Sequence, residues 1–499
     1  MTVTIVSFAA YTLAVVLVGL YSARYARRSN EDFFLAGRSL GPWVAAMSAS
    51  ASSESGWVTL GLVGWAYSNG VQAYWIIPGC LLGYLFNWYV IAGRMAERSR
   101  AIGALTLPDF FAFSFRERWP LLRIVSVLVI LVAMVLYVAA QFAAAGKAFA
   151  ATFHGTTFNI TYHQGIWLGA SIVLIYTVSG GFRAVCWTDF LQALLMVGAL
   201  VVFPVYLLIA HGGYAYVAGL LSQVAPAGGR AADLLRFLPD LSGPALVGFL
   251  LGSGALGINF GYPGQPHVLV RFMGLRDQRA ARLAGAVSFV WGLLIYWGAV
   301  TVGLFARAMA EQHESWTARL SDGELSLVVA AMNLLPGALS GLVLAAVLAA
   351  ICSTADSQLV VAASSAANDL YARLIRRRQA GAHPWLNRAV VAGLGLMAVW
   401  LVYDQQVQVY KYVLDYGWAI LGAAFGPQVI LILLWRRASH AGCLVGMLTG
   451  FAVAILWRYY RLNELAGIEV YNLPLAFVAA LLANVILSLL VPKRQATVS

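Results

Sequence analysis

Thirteen apolar runs separated by short charged breaks cover most of the 499 residues, near 4–22, 42–66, 71–92, 124–145, 164–178, 188–210, 244–262, 284–306, 336–366, 389–404, 412–435, 442–458 and 473–491. A run of about 20 apolar residues is long enough to cross the hydrocarbon of a bilayer as a helix. Lipid offers no partner to a free backbone N–H or C=O, so such runs fold as helices that satisfy their own hydrogen bonds. The chain therefore reads as an all-α integral membrane protein of about thirteen transmembrane helices. Composition agrees, because charged residues make up 10% of the chain against about 25% in a soluble domain. The connections leave no room for a sizeable extramembrane domain, so function must sit within the membrane.

The net charge of +12 does not point to nucleic acid, because no basic stretch is long enough to form a groove. Its distribution follows the positive-inside rule: with the N-terminus outside, 24 of the 32 lysines and arginines fall in cytoplasmic segments. The main clusters are Arg94, Arg98 and Arg100 after the third run and Arg373, Arg376, Arg377 and Arg378 after the ninth. An odd span count puts Lys493 and Arg494 inside as well. The first run is followed, not preceded, by Arg24, Arg27 and Arg28, the reverse of a signal peptide, and reads as a retained span. Cys80, Cys186, Cys352 and Cys443 lack CxxC spacing, which argues against a disulfide framework or a metal site.

Two runs are poor continuous helices. The second contains Ser48 to Gly56, rich in serine, and the seventh runs from Gly252 to Pro266 with five glycines and two prolines. Breaks at membrane depth survive where protein, water or an ion replaces the lost hydrogen bonds, although glycine and serine also serve close helix packing. The two breaks lie five spans apart, and an odd offset reverses orientation in the membrane. Spans 42–210 and 244–435 are thus expected to form two inverted five-helix repeats of one transporter domain covering 1–499, with an extra helix at 4–22 and two more at 442–491.

Oxygen-bearing side chains cluster in the ninth run. At 100° per residue Ser353, Asp356 and Ser357 share a helix face and Thr354 flanks it. Oxygen ligands without clustered His or Cys suit a hard cation such as sodium, whereas bonding back to the i−4 carbonyl is the plain structural alternative. Glu54 in the first break and Asp189 near the start of the sixth run are acids at membrane positions and hence functional candidates. Asp189 can also be an N-cap, Glu54 an acid in a wet vestibule, and Asp415 an outer-end ion pair.

These motifs resemble the sodium/solute symporter family, and within it most closely the bacterial sodium/proline symporters. The resemblance is carried by Gly37-Arg38-Ser39-Leu40-Gly41-Pro42, Ser55-Gly56-Trp57, Leu105-Thr106-Leu107-Pro108-Asp109-Phe110, Gly180-Gly181-Phe182, Trp187-Thr188-Asp189, Gly264-Gln265-Pro266-His267, Arg271-Phe272-Met273, Ser353-Thr354, Ser357-Gln358-Leu359 and Asp369-Leu370-Tyr371. It implies a leucine-transporter-like fold. It also implies a sodium site built from the carbonyls of Ala51, Glu54 and Ala350 with the hydroxyls of Ser353 and Thr354. Asp189 would lie on the sodium exit path or at a second cation site beside Ser353 and Ser357, and Asp356, a departure from the family, forms with Asp189 a candidate second cation or proton site. Substrate would contact Ser55, Gly56, Tyr137, Tyr262 and Pro266, with Asn259 and Gln265 the polar side chains of the second break. The chain departs from the proline symporters at Ser53, where they carry an aspartate, at Ile258, where they carry a tryptophan, and at Asp356, where many members have a small polar residue.

The expected function is secondary transport of a small solute, most closely L-proline, driven by inward sodium flow across the cell membrane, with no cofactor beyond the coupling ion. Within transport the alternatives are sodium- or proton-coupled symport of another amino acid, a monocarboxylate or pantothenate. A transporter-like sensor or an enzyme is the reading from another class. Only about eight residues follow the last run, and among seven histidines only His267 lies in a motif.

Overall fold

The computed structural model describes residues 2–22, 30–117, 119–155, 158–178, 182–223, 234–238, 243–317, 319–320, 322–375, 384–460, 462 and 470–491. Arg24, Arg27, Arg28, Gly180, Gly181, Arg376 to Arg378, Lys493 and Arg494, used in reading the sequence, lie outside these residues.

Each apolar run is helical. The helices are α1 (Thr2–Ser22), α2 (Pro42–Ser53), α3 (57–69), α4 (76–101), α5 (Leu107–Ser114), α6 (Leu121–Phe153), α7 (Tyr162–Thr177) and α8 (Phe182–Ala210). They continue as α9 (Gly243–Leu250), α10 (Pro266–Met273), α11 (Gln278–Ala310), α12 (Gly337–Ile375), α13 (Pro384–Val402), α14 (Val409–Leu434), α15 (His440–Tyr459) and α16 (Asn472–Leu490). Among the described residues nine helical stretches are long and apolar enough to cross a membrane. One of them, 57–101, joins two expected runs through a 3-10 turn at Gly70–Trp75. Gly70 makes that turn with φ +67°, and a Cβ there would meet the Leu234 carbonyl oxygen at 2.1 Å.

The second and seventh runs are broken, as their composition predicts. The second divides into α2 and α3 around Glu54 to Gly56, and the seventh into α9, a 3-10 segment at Leu256–Gly264, and α10. The sixth run differs from expectation: its helix begins at Phe182, so Asp189 lies two turns inside α8 and is not a cap. The i→i+4 ladder also widens to π-type bonding at Trp57–Leu62, Phe86–Ala92, Gly198–Val202, Ser365–Ile375 and Val413–Trp418, a local fault often found at functional sites.

The first break lies at the centre of the bundle. Helix α2 packs against α8, α10, α11 and α12, while the 3-10 segment of the second break packs against α4, α14 and α16. A backbone bridge pins the two broken regions together, with Leu40 N–H donating to Gly274 O (3.1 Å) and Arg276 N–H donating to Leu40 O (3.3 Å). Gly261 lets the second break lie directly on α14, since a Cβ there would meet Trp418 Nε1 at 1.9 Å. At the start of α14, Glu324 accepts the N–H groups of Val409 (3.0 Å) and Tyr410 (2.9 Å) and pairs with Lys147 of α6 (2.6 Å), satisfying donors that a helix N-terminus leaves open. Outside the membrane, Asp277 caps α11 by accepting from Ala280 N–H (2.7 Å), which holds its carboxyl below the ordinary value.

Candidate functional site

The first break is stabilised by side chains that replace its lost ladder bonds. Ser53 Oγ donates back to Ala49 O (2.7 Å), and Trp57 Nε1 donates to Ser53 O (2.7 Å). Gly56 N–H donates to Oε1 of Gln141, a buried residue of α6, at 2.9 Å, and Trp57 N–H donates to Ser55 Oγ (3.3 Å). Gln141 is thus part of the site although the sequence reading passed over it. Its only advertisement was an amide in an otherwise apolar span.

Against this break α12 presents its two adjacent hydroxyls. Ser353 Oγ lies 3.1 Å from both Ala51 O and Ala350 O, and Thr354 Oγ1 lies 3.0 Å from Ser52 O and 3.2 Å from Ala350 O. Five oxygens converge, all on buried residues. Four of the five residues expected to line a sodium site, Ala51, Ala350, Ser353 and Thr354, are brought together. Here the Ser52 carbonyl joins them. Glu54, expected to contribute its carbonyl, ends α2, where its N–H donates to Ser50 O (2.9 Å).

One turn further along α12 the residues expected at the exit path or second cation site come together around a group that the sequence reading did not place there. Asp189 and Ser357 do meet, but the cation between them is the guanidinium of Arg271 from α10, which is wholly buried. Its Nε donates to Ser48 Oγ (2.7 Å), and its Nη2 lies within reach of Ser52 Oγ (2.7 Å), Asp189 Oδ2 (2.6 Å) and Ser357 Oγ (2.8 Å). Nη1 bonds the His267 carbonyl, and the Phe182 ring lies 5.4 Å beneath the guanidinium carbon. Ser48 also donates to Asp189 Oδ2 (2.6 Å), and Ser357 donates to Ser353 O (2.7 Å). Asp356 sits beside this cluster, buried, with Ser357 Oγ 3.3 Å from its Oδ1. Arg271 was readable as a charge within the apolar run Val268 to Met273, yet the positive-inside count absorbed it as one more cytoplasmic cation.

The side chain of Glu54 enters an aromatic box between α4 and α11. Tyr84 donates its hydroxyl to Oε1 (2.7 Å), and Trp291 Nε1 donates to Oε2. Glu54 is fully buried, so it is not an acid in a wet vestibule. Tyr262 joins the box edge-on to Tyr84 (5.0 Å) and Trp418 (4.8 Å), with its hydroxyl 3.1 Å from that of Tyr296. Neither Tyr84 nor Trp291 stood out in the sequence from the other aromatics.

The remaining substrate candidates surround the breaks. Tyr137 packs its ring on Gly417 of α14 and lies edge-on to His267 (6.1 Å). Pro266 starts α10 at the position where a missing N–H costs nothing. Gln265 Nε2 donates to Gly261 O (3.1 Å) and Trp418 O (3.2 Å). Asn259 turns its amide back onto Leu256 O within its own 3-10 turn, so its donor is spent locally. Among the described residues, Gln141 Nε2 and Gln265 Oε1 are buried without a hydrogen-bond partner. A donor and an acceptor are thus left over beside the two breaks. Asp415, the remaining acid, pairs at 3.4 Å with the exposed Arg458, in keeping with an ion pair at a helix end.

A second buried charge knot joins two of the sequence motifs. Arg123 bridges Asp109 (2.6 Å) and Asp369 (2.7 Å), Thr106 donates to Asp369 (3.0 Å), and Arg373 lies 3.0 Å from Asp109. This ties α5 and the start of α6 to the end of α12.

Comparison with known proteins follows the same lines. Residues 33–450 match the model of the sodium:solute symporter family. The chain is 34% identical over 489 residues to the sodium/proline symporter of Escherichia coli, covering 97% of this chain and 93% of that one. It is 34% identical over 483 residues to the high-affinity proline transporter of Bacillus subtilis, covering 95% of each. The osmoregulated proline transporter of Bacillus subtilis is 32% identical over 497 residues, with 99% and 96% covered. Among solved structures, the substrate-bound outward-open state of a Na+-coupled sialic acid symporter superposes with a TM-score of 0.79 over 99% of both chains at 18% identity, a likeness of fold alone.

Proposed function

The chain belongs to the sodium:solute symporter family, and on that premise we propose that it couples inward sodium flow to uptake of a small zwitterionic solute, with L-proline as the preferred one. The carrying observation is the convergence of Ala51 O, Ser52 O, Ala350 O, Ser353 Oγ and Thr354 Oγ1 between the first break and α12. An all-oxygen set without thiolate or imidazole suits sodium. Two carbonyls come from the end of α2 and the other oxygens from α12, so a bound ion clamps these two helices together.

Substrate binds beside the same break. Ser55 and Gly56 of the first break lie with Tyr137 and Gln141 of α6, and Tyr262, Gln265 and Pro266 come from the second break. The donor left on Gln141 and the acceptor left on Gln265 match the carboxylate and ammonium of a zwitterion. The breaks divide the chain into the units 42–210 and 244–435, arranged as inverted repeats, with α1 before them and α15 and α16 after. The carrier resides in the cytoplasmic membrane with its N-terminus outside and needs no cofactor.

The test is uptake of labelled proline into proteoliposomes, with sodium and proton gradients imposed separately. One sodium crossing 100 mV gains ~2.3 kcal/mol and a tenfold gradient adds about 1.4 kcal/mol, so accumulation should reach roughly several hundredfold. Uptake driven equally well by a proton gradient without sodium would overturn the assignment.

A further inference from the structure

The oxygen cluster around Asp189 has the composition of a cation site and already holds a cation. Four of its oxygens touch Arg271: Ser48 Oγ, Ser52 Oγ, Asp189 Oδ2 and Ser357 Oγ, all within 2.6–2.8 Å of the guanidinium. The Ser353 carbonyl completes the set, 3.0 Å from Ser52 Oγ and 2.7 Å from Ser357 Oγ. Without the arginine these groups are one carboxylate, three hydroxyls and a carbonyl, all hard oxygen ligands. Ser52 belongs to both centres. Its carbonyl accepts from Thr354 in the proposed sodium site, and its hydroxyl lies against Arg271.

We propose that Arg271 is a tethered cation that permanently fills a second cation site, so that the chain takes up one sodium per cycle, and that removing the guanidinium turns the same oxygens into a second sodium site. The inference rests on the sodium-symport reading above. Arginine suits this role because it cannot be deprotonated in proteins, and its fork meets several oxygens at once. Its attachment to α10, the helix that follows the second break, means that this charge moves with the protein and does not exchange with solvent. The contact between α10 and helices α2, α8 and α12 is thereby held at any sodium concentration, and only the Ser353 site responds to the ion.

The experiment counts radioactive sodium bound at saturation by the purified full-length chain, together with the reversal potential of substrate-coupled flux in proteoliposomes. Wild type and Arg271→Lys should each bind one sodium. Arg271→Gln should bind two, its sodium Hill coefficient rising from about 1 toward about 2. Asp189→Asn/Arg271→Gln, which buries no charge, should return to one. Two sodium ions on the wild type would overturn the inference and leave the symport reading standing. A folded, substrate-binding Arg271→Gln that holds one sodium would also overturn it. Should that variant not fold, two sodium ions on the double variant would overturn it. No sodium on the wild type at any concentration would remove the symport reading and this inference together.

Discussion

Asp189 and Glu54 are both fully buried carboxylates beside the first break, and the bundle accommodates them by opposite means. Asp189 faces a guanidinium at 2.6 Å and accepts from two serine hydroxyls. Glu54 accepts from a phenol and an indole, neither of them a cation. Burying a charge costs several kcal/mol, recovered by pairing only when both partners stay in place. The Asp189 centre is therefore locked: either partner alone is worse than none. At Glu54 the stabilisation comes from dipoles, and under the proposed function its charge, which has no counter-ion among the described residues, would serve the substrate's ammonium together with the Gln265 acceptor. The first centre is framework electrostatics and the second is suited to exchange.

The largest effect that tests this contrast is Arg271→Ala, which strands a buried carboxylate at a cost of ~3–5 kcal/mol. Thermal unfolding in sodium-free buffer should show a clearly lowered midpoint, and uptake should fall by more than about 100-fold. Asp189→Asn/Arg271→Gln should recover most of the stability because the two changes share one interaction. An alanine variant as stable as the parent without sodium would break the comparison.

Glu54→Gln comes next. The amide keeps one acceptor for two donors and loses the charge, a change of about 1.5–3 kcal/mol. Substrate affinity should weaken roughly 10- to 150-fold while sodium dependence persists. Binding isotherms at saturating sodium measure this, and an unchanged affinity would remove Glu54 from the substrate side.

Ser353→Ala or Thr354→Ala should cost ~1–3 kcal/mol per lost ligand, seen as a 5- to 150-fold weaker apparent sodium affinity, with roughly these bounds set by the cost of an unmet partner. Linkage carries the loss to substrate affinity at low sodium. Sodium titrations that match the parent in both variants would show that the five oxygens are only helix packing.

The smallest effect belongs to Asp415, whose partner Arg458 is exposed to solvent. Such pairs contribute about 0–1 kcal/mol, so Asp415→Asn should change sodium and substrate half-saturation by less than about 5-fold. A larger change would extend the exchangeable centre toward α14.

Much of this molecule was legible in one dimension because lipid imposes its rules residue by residue. A run of apolar residues must be a helix, and a stretch such as Ser48 to Gly56 or Gly252 to Pro266 must be a break, since no bilayer solvent can rescue its backbone. Ser353 and Thr354 were readable for the same reason: hydroxyls and an acid within two turns of one span need an explanation wherever they pack. Even the resemblance to the symporter family rests on such local motifs.

What the tertiary structure alone decided is which distant group answers each of these. Asp189 and Arg271 are 82 residues apart, and Glu54 and Trp291 are separated by 237. Helical periodicity says which face a residue occupies but nothing about what lies across the gap. So the sequence could expect a cation at Asp189 without knowing that the chain supplies it from α10. It could place Glu54 in a break without knowing that tyrosine and tryptophan hold it. Local hydrogen-bond satisfaction is a property of the segment and is written there, whereas the pairing of buried charges depends on which helices the fold brings together.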